Sequence, residues 1–589
     1  MKHLMTKWGK KIDRTKVLQE YPRPNFVRES YLNLNGEWDY CINQKKEAEE
    51  YTGKILVPFS PETDLSGVGK IVQPEDYLHY RKSFRLPEGF VKDRVLLHFG
   101  AVDQECEVFL NEKKLGEHKG GYLPFSFDIT KGLVEGENEL TLCVKDKTEK
   151  SPHARGKQKL VRKGGMASIF YTPSSGIWKT VWMESVPKEY LEKVNITPYY
   201  DEAAVGIHPV VKGDGKEVAL SIRFQNEIVY EGVISANKET KVELKNFKAW
   251  TPDSPNLYDV RMQYGEDEVN SYFGMRKVSV KKDKKGILRF YLNNEPVFFS
   301  GVLDQGYWPE SLLTQPSDEA LQYDIEKLKE LGYNTIRKHI KIESERFYYH
   351  CDKLGMMVWQ DMPNGGGDYN INFVTYLPNG LPWVNGKLKD NHYRMFKRED
   401  EEGRKQYKKD LDGMVELLYN YPSVVEWTPF NEGWGQFDAN QATELIRKKD
   451  STRLINEACG WFDQHGGDMY SIHNYLRKLK VTPQKDRVVA LTEFGGYAYP
   501  VEGHMACEKE FGYKAYQTKE ELNASYKKLW EEEVIPNIKN GLSAAIYTQT
   551  SDIEEEINGL MTYDREVMKP EEELIKEMNK KAYEEYGKI

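Results

Sequence analysis

Two β-sandwiches ahead of a (β/α)8 barrel is the fold class this sequence predicts, and three features predict it. At 589 residues the chain is too long for one core, since domains run to about 100–200 residues. Its first half consists of short alternating runs broken by Gly, Asn and Pro. Past residue 285 the rhythm changes to apolar strand, then amphipathic helix.

Residues 1–187 form the first predicted unit. Arg94-Val95-Leu96-Leu97-His98-Phe99, Glu107-Val108-Phe109-Leu110, Glu139–Val144 and Lys179-Thr180-Val181-Trp182 alternate with period two between turn residues, the pattern of a sandwich. A second set occupies 188–284, including Val218–Ile222, Glu227-Ile228-Val229-Tyr230 and Asp259-Val260-Arg261-Met262. Short strands over a stretch of about 95 residues suit an immunoglobulin-like sandwich. From 285 to 589, apolar runs fall at 297–303, 334–338, 356–360, 424–430, 453–457, 469–473, 488–492 and 542–547. Helical stretches at Asp318–Leu331, Ser344–Leu354, Glu401–Asn420, Asn440–Lys449 and Glu520–Lys539 lie between most of them. Strand–helix alternation of this length is the signature of a (β/α)8 barrel. Helices after the fifth and sixth runs are poorly marked. The Gly-, Asn- and Tyr-rich segment Asn364–Glu399 is too long for a routine connection and follows strand three, so it is expected over the active face.

Composition excludes several functions. The net charge of −9, from 84 Lys+Arg against 93 Asp+Glu, argues against a nucleic-acid partner, which would want a basic stripe. No apolar run is long enough to span a bilayer, and no apolar stretch follows the charged start Met1–Trp8. The six cysteines lack CxxC spacing and read as buried thiols of a reducing compartment, so a cytoplasmic location is expected. The aromatic content of 12 % fits large cores, and equally a surface that stacks on sugar rings.

Catalytic groups of such barrels stand at the C-terminal ends of strands. Strand four, Val424–Phe430, closes with Asn431-Glu432, and strand seven, Val488–Thr492, closes with Glu493-Phe494-Gly495. Two carboxylates placed there face each other across the barrel mouth. A retaining glycosidase needs such a pair, one protonating the leaving oxygen and one attacking the anomeric carbon. A lone Glu is far more often solvated or salt-bridged, so the pairing carries the weight.

Local motifs add to this. Trp427-Thr428-Pro429-Phe430-Asn431-Glu432-Gly433-Trp434 and Leu491-Thr492-Glu493-Phe494-Gly495 resemble the acid/base and nucleophile signatures of glycoside hydrolase family 2, which includes β-galactosidases, β-glucuronidases and β-mannosidases. Leu34–Trp38, Tyr80–Phe84, Phe99–Asp103, Gly120–Phe125 and Gly176–Trp182 resemble its N-terminal sugar-binding sandwich, a jelly roll. Trp250–Tyr258 and Phe273-Gly274-Met275-Arg276 look like the end of its immunoglobulin-like domain. The resemblance implies Glu432 as acid/base, Glu493 as nucleophile, Asn431 as partner of the sugar 2-hydroxyl, and Tyr475 as the phenol orienting Glu493. Arg337 is expected to pair a catalytic carboxylate inside the barrel. The family usually has two residues between this Arg and a His, whereas here only Lys338 intervenes, so His339 is shifted by one. Asp304, Gln305, Trp359, Asp361, Trp461 and Tyr547 are further expected sugar contacts.

Family β-glucuronidases carry Asn-any-Lys after strand eight, its lysine recognising the sugar acid. Asn558-Gly559-Leu560 stands there instead, so a neutral hexoside, β-galactoside first, is expected. The cluster Arg337, Lys338, Lys341 keeps a glucuronide open, and an arabinoside is a further alternative. An inactive carbohydrate-binding protein and an inverting hydrolase are the rivals from other classes. No metal or cofactor motif is visible: Gly365-Gly366-Gly367 lacks a nucleotide-loop continuation, and His465 and His473 match no metal spacing. The expected partner is a small carbohydrate or glycoside, with no nucleic acid and no membrane; a homo-oligomer is open.

Overall fold

The computed structural model describes residues 3–160, 169–381, 384–508 and 511–589. A four-stranded sheet (Leu32–Asn33, Val181–Val186, Arg94–Phe99, Phe125–Asp128) and a six-stranded one (Gly53–Val57, Gly36–Asn43, Tyr77–Phe84, Asn138–Lys145, Glu105–Leu110, Lys113–Lys119) form the first sandwich. The strict burial alternation of Asn138–Lys145 shows why its sequence alternates, with Leu140, Leu142 and Val144 entering the inter-sheet core. The second sandwich packs a three-stranded sheet (Tyr190–Tyr199, Ala204–Lys212, Thr240–Glu243) on a four-stranded one (Glu227–Ser235, Glu217–Phe224, Tyr258–Tyr264, Asp267–Phe273).

The barrel strands are β1 (Phe299–Asp304), β2 (Thr335–Lys338), β3 (Met357–Asp361), β4 (Val424–Thr428), β5 (Leu454–Ile455), β6 (Met469–Asn474), β7 (Val488–Gly495) and β8 (Leu542–Thr548). They pair in parallel in the order β5-β4-β3-β2-β1-β8-β7-β6, a near-closed ring. Each coincides with one of the expected apolar runs. The helices are α1 (Asp318–Glu330), α2 (Glu345–Leu354), α3 (Glu401–Leu418), α4 (Ala439–Lys449), α5 (Lys519–Leu529) and α6 (Glu572–Tyr586). Ser317, Asp400 and Thr518 cap α1, α3 and α5 by accepting from the backbone N–H three residues on. Among the described residues no helix joins β5 to β6 or β6 to β7, in keeping with the poorly marked stretches there. Helix α6, absent from the sequence reading, packs on the barrel through Ile575, Met578 and Ala582.

The antiparallel strands Val278–Lys282 and Leu288–Leu292 close the bottom of the barrel, where Phe290 meets Phe299 (5.1 Å) and Trp359 (6.2 Å). Arg276, at the end of the second sandwich, anchors the approach to β4 by donating to the carbonyls of Pro422, Val424 and Thr452. Among the described residues no cysteine forms a disulfide, and Cys143 and Cys507 are half-buried rather than buried as expected. Among the described residues no helix is long and apolar enough to cross a membrane.

Candidate active site

Both glutamates arrive where expected. Glu432 follows β4 in the left-handed region, φ +51°, with Gly433 at +70° behind it. Such a backbone costs a non-glycine residue about 1 kcal/mol or more, and it is held by Glu432 N donating to the Cys459 carbonyl at 2.9 Å. A Cβ at Gly433 would stand 2.3 Å from the Phe462 ring, so no other residue fits. Glu493 lies within β7 and is 4 % exposed. A carboxylate oxygen of each glutamate and a ring nitrogen of His473 lie within 4.8 Å of one another.

Arg337 organises the floor of the site. Its fully buried guanidinium donates to Glu493 Oε1 (2.9 Å), the Thr492 carbonyl (3.1 Å), Asn431 Oδ1 (2.7 Å) and both oxygens of Asp361 (3.0 and 2.8 Å). Guanidinium only donates, so Asn431 must turn its oxygen toward Arg337. Its Nδ2 is then left buried without a partner. The Tyr475 hydroxyl donates to Glu493 Oε2 at 2.5 Å and lies 3.1 Å from Thr548 Oγ1, with its ring stacked 3.5 Å from Tyr513.

The two carboxyls are driven apart. Burial raises Glu432 above the ordinary carboxyl value and repulsion from Glu493 adds to it, against the His473 hydrogen bond. Burial would raise Glu493 too, but His473, Arg337 and His339 outweigh it, with help from Tyr475, and bring it to about 2. Burial works to lower His473, yet Glu493, Cys459 and Glu432 raise it to about 10. One carboxyl kept as an acid beside one kept as a carboxylate is the division of labour for acid and nucleophile.

Of the other expected residues, Asp361 holds Arg337 and accepts from His339 Nδ1 at 3.0 Å. His339 therefore reaches the site despite its altered spacing, and burial holds its pKa well below the usual histidine value. Gln305 donates to the Tyr171 hydroxyl (2.7 Å) and Gln549 (2.6 Å). Trp461 packs 6.0 Å from His473 and forms an apolar cluster with Phe396 and Phe462, which brings Phe396 of the segment after β3 beside the mouth.

Three expectations are corrected. Asp304 lies on the outer face of β1 and pairs with Lys338, because Leu303 occupies the inward position. Trp359 points inward but low, into the lower core against Phe299 at 5.3 Å. Tyr547 faces out against Phe494 and Tyr526, while its neighbour Thr548 faces in. The cluster Lys338 and Lys341 is neutralised internally, since both pair with Glu343.

His473 was missed as a site residue. Its Nδ1 lies 2.7 Å from Glu432 Oε1 and 3.4 Å from Glu493 Oε2, and its Nε2 lies 3.2 Å from Cys459 Sγ. The trio Glu432, His473 and Glu493 has metal-like spacing, as does His504, Asp564 and Glu566. The hydrogen bond from His473 to Glu432 and its approach to Glu493 tie the first trio into one proton network.

Two buried glutamates of opposed acidity at the mouth of a (β/α)8 barrel, behind two sandwiches, define a glycoside hydrolase. Three family models match in order: "Glycosyl hydrolases family 2, sugar binding domain" over 69–182, "Glycosyl hydrolases family 2" over 190–276 and "Glycosyl hydrolases family 2, TIM barrel domain" over 280–582. The chain belongs to glycosyl hydrolase family 2. It is 24 % identical over 502 residues to a β-galactosidase of Thermoanaerobacter pseudethanolicus, covering 80 % of this chain and 62 % of that one. It is 22 % identical over 544 residues to a β-glucuronidase of Streptococcus agalactiae, covering 82 % of this chain and 84 % of the other. The chain thus spans less than two thirds of the first of these relatives. A solved β-glucuronidase of an uncultured Clostridium superposes with TM-score 0.72 at 20 % identity, covering 94 % of this chain and 99 % of that one.

Proposed function

We propose that the chain is a retaining exo-β-glycosidase, and the approach of Glu432 and Glu493 carries the reading. Oxygens within 4.8 Å suit the separation of about 5–5.5 Å used for covalent catalysis rather than the about 6.5–9.5 Å that admits a water for inversion. Protonated Glu432 gives its proton to the glycosidic oxygen as Glu493 attacks the anomeric carbon and the aglycone departs. Glu432, now a carboxylate, takes a proton from water, whose oxygen attacks the same carbon and releases Glu493. Asn431 Nδ2 grips the sugar 2-hydroxyl, a contact that strengthens in the transition state. Arg337 and Tyr475 hold the attacking oxygens in place.

For the sugar, the missing lysine at Asn558-Gly559-Leu560 supports a neutral hexoside, β-galactoside first. A β-uronide is the second reading, favoured by the β-glucuronidase of Streptococcus agalactiae, which matches over 82 % of this chain and 84 % of that one. The scattered cysteines without CxxC spacing support a cytoplasmic setting, and we take 187/188 and 284/285 as the domain borders. A panel of nitrophenyl β-glycosides tests the activity, with proton NMR of the first-formed anomer testing the stereochemistry. Release of the β-anomer is expected, and release of the α-anomer or no turnover on any sugar overturns the reading.

A further inference from the structure

Past the end of β5 the chain stays paired with the segment that leaves β4. Cys459 N donates to the Phe430 carbonyl at 2.8 Å, and Glu432 N donates to the Cys459 carbonyl at 2.9 Å. Gly460 follows with φ +87°, and a Cβ there would stand 2.6 Å from His473 Nδ1, so the turn leaves that space to the imidazole. The main chain thus sets Cys459 beside both the acid/base and the ring that serves it.

The Cys459 side chain, fully buried, meets the other edge of that ring. Its Sγ lies 3.2 Å from His473 Nε2, and the Ser471 hydroxyl donates to the same sulfur at 3.4 Å. Ser471 Oγ is in turn 2.9 Å from Thr492 Oγ1, next to Glu493. Nδ1 of the ring is committed to Glu432 and faces Glu493. Which way an imidazole is turned, and where its proton sits, depends on what both nitrogens meet. The sulfur is what the second nitrogen meets, and the reaction itself uses no thiol.

We propose that Cys459 is a positioning residue of the reaction: its sulfur accepts from His473 Nε2 and so fixes the imidazole shared by Glu432 and Glu493. This rests on the glycosidase reading and adds to it a residue that acts only through another side chain. The titratable groups facing His473 are Glu432 after β4, Cys459 after β5 and Glu493 of β7, with Asp361 of β3 and His339 after β2 further across the mouth. Burial works to deprotonate the ring, while Glu493, Cys459 and Glu432 hold the proton on it. Without the sulfur the ring should shed its proton at lower pH, and both carboxyls then lose their positive neighbour.

The test compares wild type, Cys459→Ala, Cys459→Val, Cys459→Ser, His473→Asn and the double variant Cys459→Ala/His473→Asn on alkyl and nitrophenyl β-glycosides. Cys459→Ala, and Cys459→Val with its larger apolar side chain, should lower kcat/KM on alkyl glycosides on the order of 10-fold. Their pH–rate limbs should move toward those of His473→Asn. Cys459→Ser keeps an acceptor and should recover part of the loss. In the His473→Asn background, removing the sulfur should cost less than about twofold, because the group it acts through is gone. Losses that multiply in the double variant, or limbs that stay in place in the folded single variants, overturn the proposal and leave the glycosidase reading intact. Wild type without turnover on any glycoside overturns that reading instead. Heteronuclear NMR of labelled histidine, with the His473 signal assigned by its absence from His473→Asn, reads the ring without turnover. Its titration should move to lower pH in Cys459→Ala, and an unmoved titration defeats the assignment. Thermal melting of each variant separates misfolding from lost positioning.

Discussion

The imidazole of His473 donates through Nδ1 to Glu432 at 2.7 Å while standing 3.4 Å from Glu493, so one cation touches both carboxyls. It lowers the pKa of each, and it dominates the charge interactions that depress Glu493.

Replacing it shows this directly. In His473→Asn both carboxyls lose a positive neighbour and both pKa values rise. The acid limb of the kcat/KM profile, set by ionisation of Glu493, and the basic limb, set by deprotonation of Glu432, should both move to higher pH. A pH–rate profile that keeps its limbs in place would remove His473 from this role.

Loss of the nucleophile is a separate matter. Glu493→Gly should cut turnover of aryl glycosides by on the order of 10⁴–10⁶, and azide should restore part of it by attacking the anomeric carbon through the vacated space. Failure of azide to revive a folded variant would take the nucleophile role from Glu493.

Glu432→Ala should discriminate between leaving groups. Those that depart as stable phenolates need little protonation, so their rates should fall far less than those of alkyl glycosides, for which about 10²–10⁴ is the usual contribution of a general acid. Equal losses across a leaving-group series would contradict the assignment.

Arg337 is expected to matter for stability as well as chemistry. Arg337→Met would strand Asp361 and Glu493 as buried carboxylates, and breaking such a network costs about 3–5 kcal/mol. Urea unfolding should show a lowered midpoint with an unchanged slope. A variant as stable as the parent would mean that the carboxyls take up protons at little cost.

The barrel was largely legible because its strands are apolar runs ending in polar residues, and the two glutamates stood at such ends. Errors came from assigning faces. On β1 the inward series contains Leu303, which sends Asp304 outward, and on β8 it contains Ile546 and Thr548, which sends Tyr547 outward. Trp359 had the right face but the wrong depth. His473 had a readable signal, since it lies two residues before Tyr475 and so shares its face.

The clasp in which Arg155 N and Gly156 N donate to the Asn364 carbonyl and Ala154 bridges to Gly365 means that one rim of the barrel mouth is built jointly by the first sandwich and the barrel. Mutations in that clasp would loosen the hold of the 154–156 loop on the segment that leaves β3.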